Sequence, residues 1–190
     1  MARVPYITRD EAPAEYRELF DHSASNRGHV SHLFRALVAS PKLFRKRYDY
    51  SNSLRDDTAI DRRYRELAVL TVGRIANSEY EFTHHARLAL LAGVRPTQID
   101  ALADFETSTE FNEQDKAVMR YAVEVTEQIH VSDQTWAALA KFFNHRQLVE
   151  LVLIVAWYNQ TVRVLIPLQI ELEADTVNRY VAERERHGAD

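Results

Sequence analysis

Asn77-Ser78-Glu79-Tyr80-Glu81-Phe82-Thr83-His84-His85-Ala86-Arg87-Leu88-Ala89 is the stretch on which the reading of this chain turns. Ser78, Glu81 and His85 stand at i, i+3 and i+7. Seven residues make almost two turns of an α-helix, so a hydroxyl, a carboxylate and an imidazole share one face. That face continues through Leu88, Ala89 and Ala92, and Gly93 suits a left-handed C-cap. Polar groups heading an apolar face must be paired, hydrated or functional, because an unpaired buried one costs about 1 to 3 kcal/mol. Ser78-x-x-Glu81 also fits a capping box, with serine closing the helix start and glutamate reaching back to the N-cap amide. His85 has a second reading as a core histidine bonded to a carbonyl. Neither alternative accounts for Glu66, which shares a helix face with Val69, Leu70 and Gly73. A carboxylate is out of place there, and its bland explanation is a salt bridge to Arg62, Arg63 or Arg87.

Outward from this stretch the chain reads as helices joined by short connections. The preceding helix spans about Ala59 to Ala76, with Asp56 and Asp57 as candidate caps. Ser40-Pro41 provides an N-cap followed by proline at the first helical position, opening a helix to about Leu54. Earlier helices cover about Pro13 to Ser23 and Ser31 to Ala39. Downstream, Pro96 opens a short helix, Asn112 caps one to about Ile129, and Ser132 caps another to about Phe143. From His145 the most apolar helix runs towards Pro167, which can kink or restart it. Apolar residues lie on nearly every side between Leu148 and Ile166, which predicts a central position or a subunit interface. The organisation is thus an N-terminal extension at 1–30, a helical domain at 31–170 and a charged helical tail at 171–190. The tail could pack on a neighbouring subunit or stand in solvent.

Composition narrows the function classes. Four glycines and five prolines against 46% hydrophobic residues favour an all-α fold. The net charge of −4 offers no global basic field for nucleic acid or an anionic membrane. The run Leu151 to Tyr158 is shorter than the roughly 18 residues of a membrane span. Absence of cysteine excludes disulfides, thiolate metal sites and thiol redox chemistry. The first ten residues lack the pattern of a secretory signal, so a cytoplasmic location is expected. No Gly-rich phosphate loop or His-Glu-x-x-His motif is present. Glu81 and His85 could supply two metal ligands, but no third is evident, so no metal and no cofactor are expected.

The run Glu81-Phe82-Thr83-His84-His85-Ala86-Arg87-Leu88-Ala89, followed by Gly93-Val94 and Ile99, resembles the Glu-Phe-x-x-His-x-Arg-x-Ala segment of the carboxymuconolactone decarboxylase family. Arg65-Glu66-Leu67-Ala68-Val69-Leu70 is similar to that family's Arg-Glu-Leu-Ala helix, and Trp157-Tyr158-Asn159 to the Tyr-Asn region of its last core helix. The resemblance covers about residues 35 to 170. The same superfamily holds alkyl hydroperoxidase D, whose motif is Cys-x-x-Cys-x-x-x-His with an upstream glutamate. On that pattern Ser78 and Glu81 fall where the cysteines would be, while His85 and Glu66 match the histidine and glutamate. The resemblance implies a hydroperoxidase D-like helical bundle assembled as a trimer or hexamer, and the missing thiols remove peroxidatic chemistry. It further implies a cofactor-free acid/base enzyme of carboxy-lyase type, a decarboxylase or isomerase acting on a small carboxylate-bearing lactone or ring-cleavage product. His85, Glu81 and Glu66 would be catalytic, and Ser78, Arg87 and Tyr80 would contact substrate. The competing expectation is a ligand-binding or structural oligomer of the same fold without catalysis.

Overall fold

The computed structural model describes residues 1–188, those at 26 and 27 by backbone alone. The last two residues of the expected 171–190 tail lie outside the described residues. Helices are the only regular elements among the described residues, as the scarcity of glycine and proline predicts. In chain order they are α1 (Arg17–Arg27), α2 (His32–Leu37), α3 (Pro41–Asp56), α4 (Arg62–Ile75), α5 (Glu79–Leu91), α6 (Pro96–Asp100), α7 (Glu113–Gln128), α8 (Asp133–Ala140), α9 (His145–Leu168) and α10 (Ala174–Gly188).

Short polar side chains set most of the helix starts. Ser31, Ser132 and Asn144 each accept a backbone N–H from the first turn, and Asn112 forms a reciprocal capping box with Asp115. The sequence reading differs from the structure at several helix ends, among them α1, which runs to Arg27 and not Ser23, and α8, which stops at Ala140. Asp61, not Asp56 or Asp57, caps α4 by accepting from Arg63 N at 2.7 Å; the two earlier aspartates fall at the end of α3, whose C-cap is Asp57. Ser40 stands at the N-cap of α3 without a side-chain bond, so Pro41 with its preset φ opens that helix. Pro167 neither kinks nor restarts α9. It lies in the last turn, and Gln169, at φ 52°, terminates the helix.

α4 is the centre of the fold, packing against α5, α7 and α9. One side, with Val69 and Val72, meets Val118 and Ala122 of α7, Leu139 of α8, and Leu151, Ile154 and Val155 of α9. The other, with Leu67 and Leu70, meets Ala86, Ala89 and Leu90 of α5 and Met119 of α7. Leu67 and Leu70 are fully buried, and truncating either to alanine costs about 2 to 5 kcal/mol. By length and composition α9 could cross a membrane, but here it packs on α3, α4, α7 and α8. Val149, Leu153 and Ile166 remain exposed on it. α1 joins α2 and α3 through a separate aromatic cluster of Phe20, Phe34, Phe44 and Tyr48.

The tail has a place that its alternating charges did not reveal. α10 docks on α5 of its own chain, with Glu183 buried and 3.7 Å from Arg87. Helix α5 is therefore held between α4 on one side and α10 on the other.

Candidate active site

Two backbone features align α4 and α5. Asn77, at φ 52°, turns the chain, and Ser78 donates its N–H to the Gly73 carbonyl at 2.8 Å. Gly73 lets the helices approach closely: a Cβ there would lie 3.2 Å from Phe82 N. Two turns earlier on α4, Glu66 faces α5 and is almost fully buried.

Three of the residues singled out in the sequence meet there. Glu66 Oε2 lies 2.7 Å from His85 Nδ1, and Glu81 Oε1 lies 3.2 Å from His85 Nε2. Ser78 and Glu81 form only half of a capping box. The serine hydroxyl accepts from Glu81 N at 3.4 Å, while the glutamate side chain turns away to the imidazole because Ser78 N is already bonded to Gly73. The partner that orients Glu66 is none of the three arginines expected. It is Arg65, whose Nε reaches Glu66 Oε1 at 3.3 Å and whose Nη1 donates to the Arg55 carbonyl at 2.8 Å. Adjacent helix residues ordinarily point apart; here both side chains are buried beside α3, and burial folds them together.

Burial pulls the His85 imidazolium down, but the charge and hydrogen bond of Glu66, then those of Glu81, outweigh it and hold the group at about 9. The Glu66 carboxyl is correspondingly lowered: burial opposes ionisation, and His85 followed by Arg65 and Arg62 reverse that effect. Near neutral pH the site thus holds an imidazolium paired with the Glu66 carboxylate, with Glu81 at its other nitrogen. Tyr158 stands edge-on to the imidazole with ring centroids 4.8 Å apart. Burial pushes its phenol upward, aided by Glu66 and Glu81, so it stays neutral.

This group opens on a cavity of about 390 Å³ whose wall includes Glu81, His85, Tyr158 and Trp157. Glu66 is not in the wall, so it supports the imidazole from behind while Glu81 stands in front. Ser78 lies outside the wall as well, its hydroxyl serving the cap. Tyr80 and Arg87 do line the cavity. Tyr80 OH donates to Glu173 Oε1 at 3.0 Å, and Arg87 faces Glu183 of α10.

Another part of the cavity wall, with His29, His84 and Thr176, belongs to a second cluster that spacing did not reveal. Glu173, just before α10, accepts from His84 Nε2 at 2.7 Å, from Tyr80, from the His32 amide and from Thr176 Oγ1 at 3.2 Å. Burial raises its carboxyl, but the bonds from His84 and His32 bring it down to about 2. Among the described residues, His29, His84 and Glu173 are the one group spaced to hold a metal, their ligand atoms within 4.8 Å of one another. Arg179 Nη1 lies 3.0 Å from His29 Nδ1. A guanidinium only donates, so Nδ1 accepts and the neutral ring carries its proton on Nε2. That proton and the fixed cation oppose a metal ion, and the cluster reads as a latch between α5 and the tail.

Residues 41–124 match the model of the carboxymuconolactone decarboxylase family. No curated protein matches the chain. Among solved structures, an alkylhydroperoxidase AhpD core protein from Ralstonia eutropha JMP134, described as peroxidase-related, superposes with a TM-score of 0.83 at 18% identity, covering 93% of this chain and 94% of that one. A peroxidase-related protein from Silicibacter sp. TM1040 gives 0.81 at 15% identity, covering 94% of each chain. The debrominase Bmp8, in a cysteine-to-alanine variant complexed with 2,3,4-tribromopyrrole, gives 0.80 at 18% identity, covering 98% of this chain and 97% of that one. The fold is therefore that of the AhpD-like proteins; at these identities the likeness carries no chemistry by itself.

Proposed function

Starting from a carboxymuconolactone decarboxylase-like chain without cysteine, we propose that this protein is a cofactor-free acid/base enzyme that decarboxylates or isomerises a small carboxylate-bearing ring compound. The observation that carries this reading is His85, buried at the cavity wall with Glu66 on one nitrogen and Glu81 on the other. Glu66 fixes the ring through Nδ1, so the transferable proton is the one on Nε2, shared with Glu81 on the cavity side. In decarboxylation, the electron pair of the breaking carbon–carbon bond becomes a carbanion or enolate as carbon dioxide leaves. That carbon takes the Nε2 proton, and the neutral imidazole recovers a proton from water. In isomerisation, Glu81 is placed to remove a proton that His85 returns at another carbon. Thiol peroxidase chemistry has no nucleophile here. The binding of tribromopyrrole by a protein of the same fold supports a small flat ring as occupant. We further propose that exposed Val149, Leu153 and Ile166 are covered by other copies of the chain.

The test is to incubate the protein with carboxymuconolactone and related lactone acids in deuterated water, following carbon dioxide release and deuterium incorporation. His85→Gln runs in parallel. Turnover in the parent that drops about a hundredfold or more in the variant is expected. Equal rates in the two proteins, or none across the panel, would sink the reading.

A further inference from the structure

The cavity contains a cation that the acid/base group does not use. Arg47, on α3, lines the same cavity as His85. Its guanidinium carbon lies 4.0 Å from the centroid of the Trp157 ring. Nη1 donates to Gln160 Oε1 at 2.9 Å and Nη2 to Thr161 Oγ1 at 2.7 Å. These bonds use two of the five N–H donors of a guanidinium, and neither acceptor is charged. No carboxylate lies within ion-pair distance of Arg47 among the described residues, whereas Arg9, Arg45, Arg63, Arg65, Arg87, Arg95 and Arg120 all have one. Burial lowers the Arg47 pKa, with Glu81 and Tyr158 acting in the opposite sense. The charge of Glu81 therefore reaches Arg47 although its carboxylate is held at His85.

A partly buried guanidinium without a counter-ion is costly unless something else supplies the negative charge. Its planar fork and its aromatic backing suit a flat oxyanion. Around it Trp157, Tyr158, Phe34 and Phe44 wall the cavity with rings, which favours a flat unsaturated body over a flexible chain. Neither the 77–89 stretch nor Arg87, which already faces Glu183, provides this feature.

The geometry points to Arg47 as the specificity-determining residue of the cavity, binding the carboxylate of a small aromatic or unsaturated ring acid and setting the ring against Trp157. This rests on the acid/base reading only in assigning His85 to the chemistry. Binding can be measured without turnover, so the two ideas can fail separately.

The chain has two tryptophans, and replacing exposed Trp136 by Phe leaves Trp157 as the fluorophore beside Arg47. In that background, benzoate and 2-furoate are titrated against benzamide and 2-furamide. Both acids are expected to change Trp157 emission saturably, with the amides bound at least about tenfold more weakly. Arg47→Gln is expected to weaken the acids at least about tenfold and leave the amides unchanged, erasing the preference. His85→Gln is expected to retain it. Acids and amides binding alike in the parent, an acid preference that survives Arg47→Gln, or no saturable acid binding up to about 10 mM would each overturn the assignment. Should Arg47→Gln fail to fold, Arg47→Lys serves: it keeps the charge but lacks the fork, so acid affinity several-fold below the parent is expected and unchanged affinity overturns the proposal. If acid binding depends on Arg47 yet no ring acid exchanges deuterium or loses carbon dioxide, the acid/base reading falls while the anchor stands.

Discussion

His84 and His85 are neighbours on α5, and each lies 2.7 Å from a carboxylate, yet the two pairs have different structural consequences. The partner of His85 is Glu66 on α4, with Glu81 one turn back on its own helix. All three are buried between helices whose backbones nearly touch at Gly73. The partner of His84 is Glu173, in the connection before α10, and that pair is only partly buried. The first pair is built into the centre of the fold; the second fastens the tail to it. Burial makes removal of a partner expensive in the first, where water cannot replace the lost charge. In the second, water reaches the groups left behind and takes up much of the difference.

The largest effect that sharpens this contrast is expected from Glu66→Ala. It leaves Arg65 and His85 in the interior without their shared carboxylate, and should lower unfolding free energy by about 3 to 5 kcal/mol in urea titration. A loss below about 1 kcal/mol would mean that the interior pair is no more demanding than the latch. Next comes His85→Gln. It should reduce turnover on a ring-acid substrate about a hundredfold, while circular dichroism shows a folded protein at 25 °C. Glu66→Gln, which keeps a polar contact, should reduce turnover less.

pH separates the two pairs at opposite ends of the scale. The folded-state value of His85 is raised from 6.5 to about 9. Its contribution to stability is therefore fully present below 6.5 and disappears as the pH rises through 9. Glu173 is lowered from 4.5 to about 2, so its contribution is present above 4.5 and disappears as the pH falls towards 2. Stability measured between pH 6.5 and 9.5 should decline in the parent and much less in His85→Gln. On acidification, protection against hydrogen exchange relative to the intrinsic amide rate should fall in α10 before it falls in α4. The smallest effect is expected from Glu173→Gln, about 1.5 kcal/mol, seen as faster proteolytic cleavage within 174–188 while residues of α4 and α5 stay protected. Cleavage no faster than in the parent would show that Arg87–Glu183 and the apolar contacts of α10 hold the tail without the latch.

The same contrast explains how much the sequence could reveal. Glu81 and His85 are i, i+4 neighbours, and Ser78 opens their helix, so local periodicity places them on one face. Glu66 is found by being a carboxylate at an apolar position. The AhpD-like all-helical fold followed from few glycines, clear caps and the 81–89 resemblance. Arg65 was missed because an i, i+1 pair rarely faces the same partner. Arg47 and Trp157 stand on α3 and α9, 110 positions apart, and no periodicity within one helix brings them together. The tail was legible as a helix but not as a partner of α5, because its anchoring residues, Glu173 and Glu183, look like the other charges around them. Their role comes only from burial against His84 and Arg87.

The near-contact at Gly73 gives α4 and α5 the character of a machined joint. The spacing between Glu66 and His85 is set by main chain pressed on main chain, without a flexible side chain as spacer. Such a seat transmits tension and has little thermal slack, because close-packed interiors compress poorly. An added methyl at position 73 works as a shim, displacing α5 outward by a few tenths of an ångström at the level of Phe82. That displacement would reach the imidazole one turn further along as a lengthened Glu66–His85 bond.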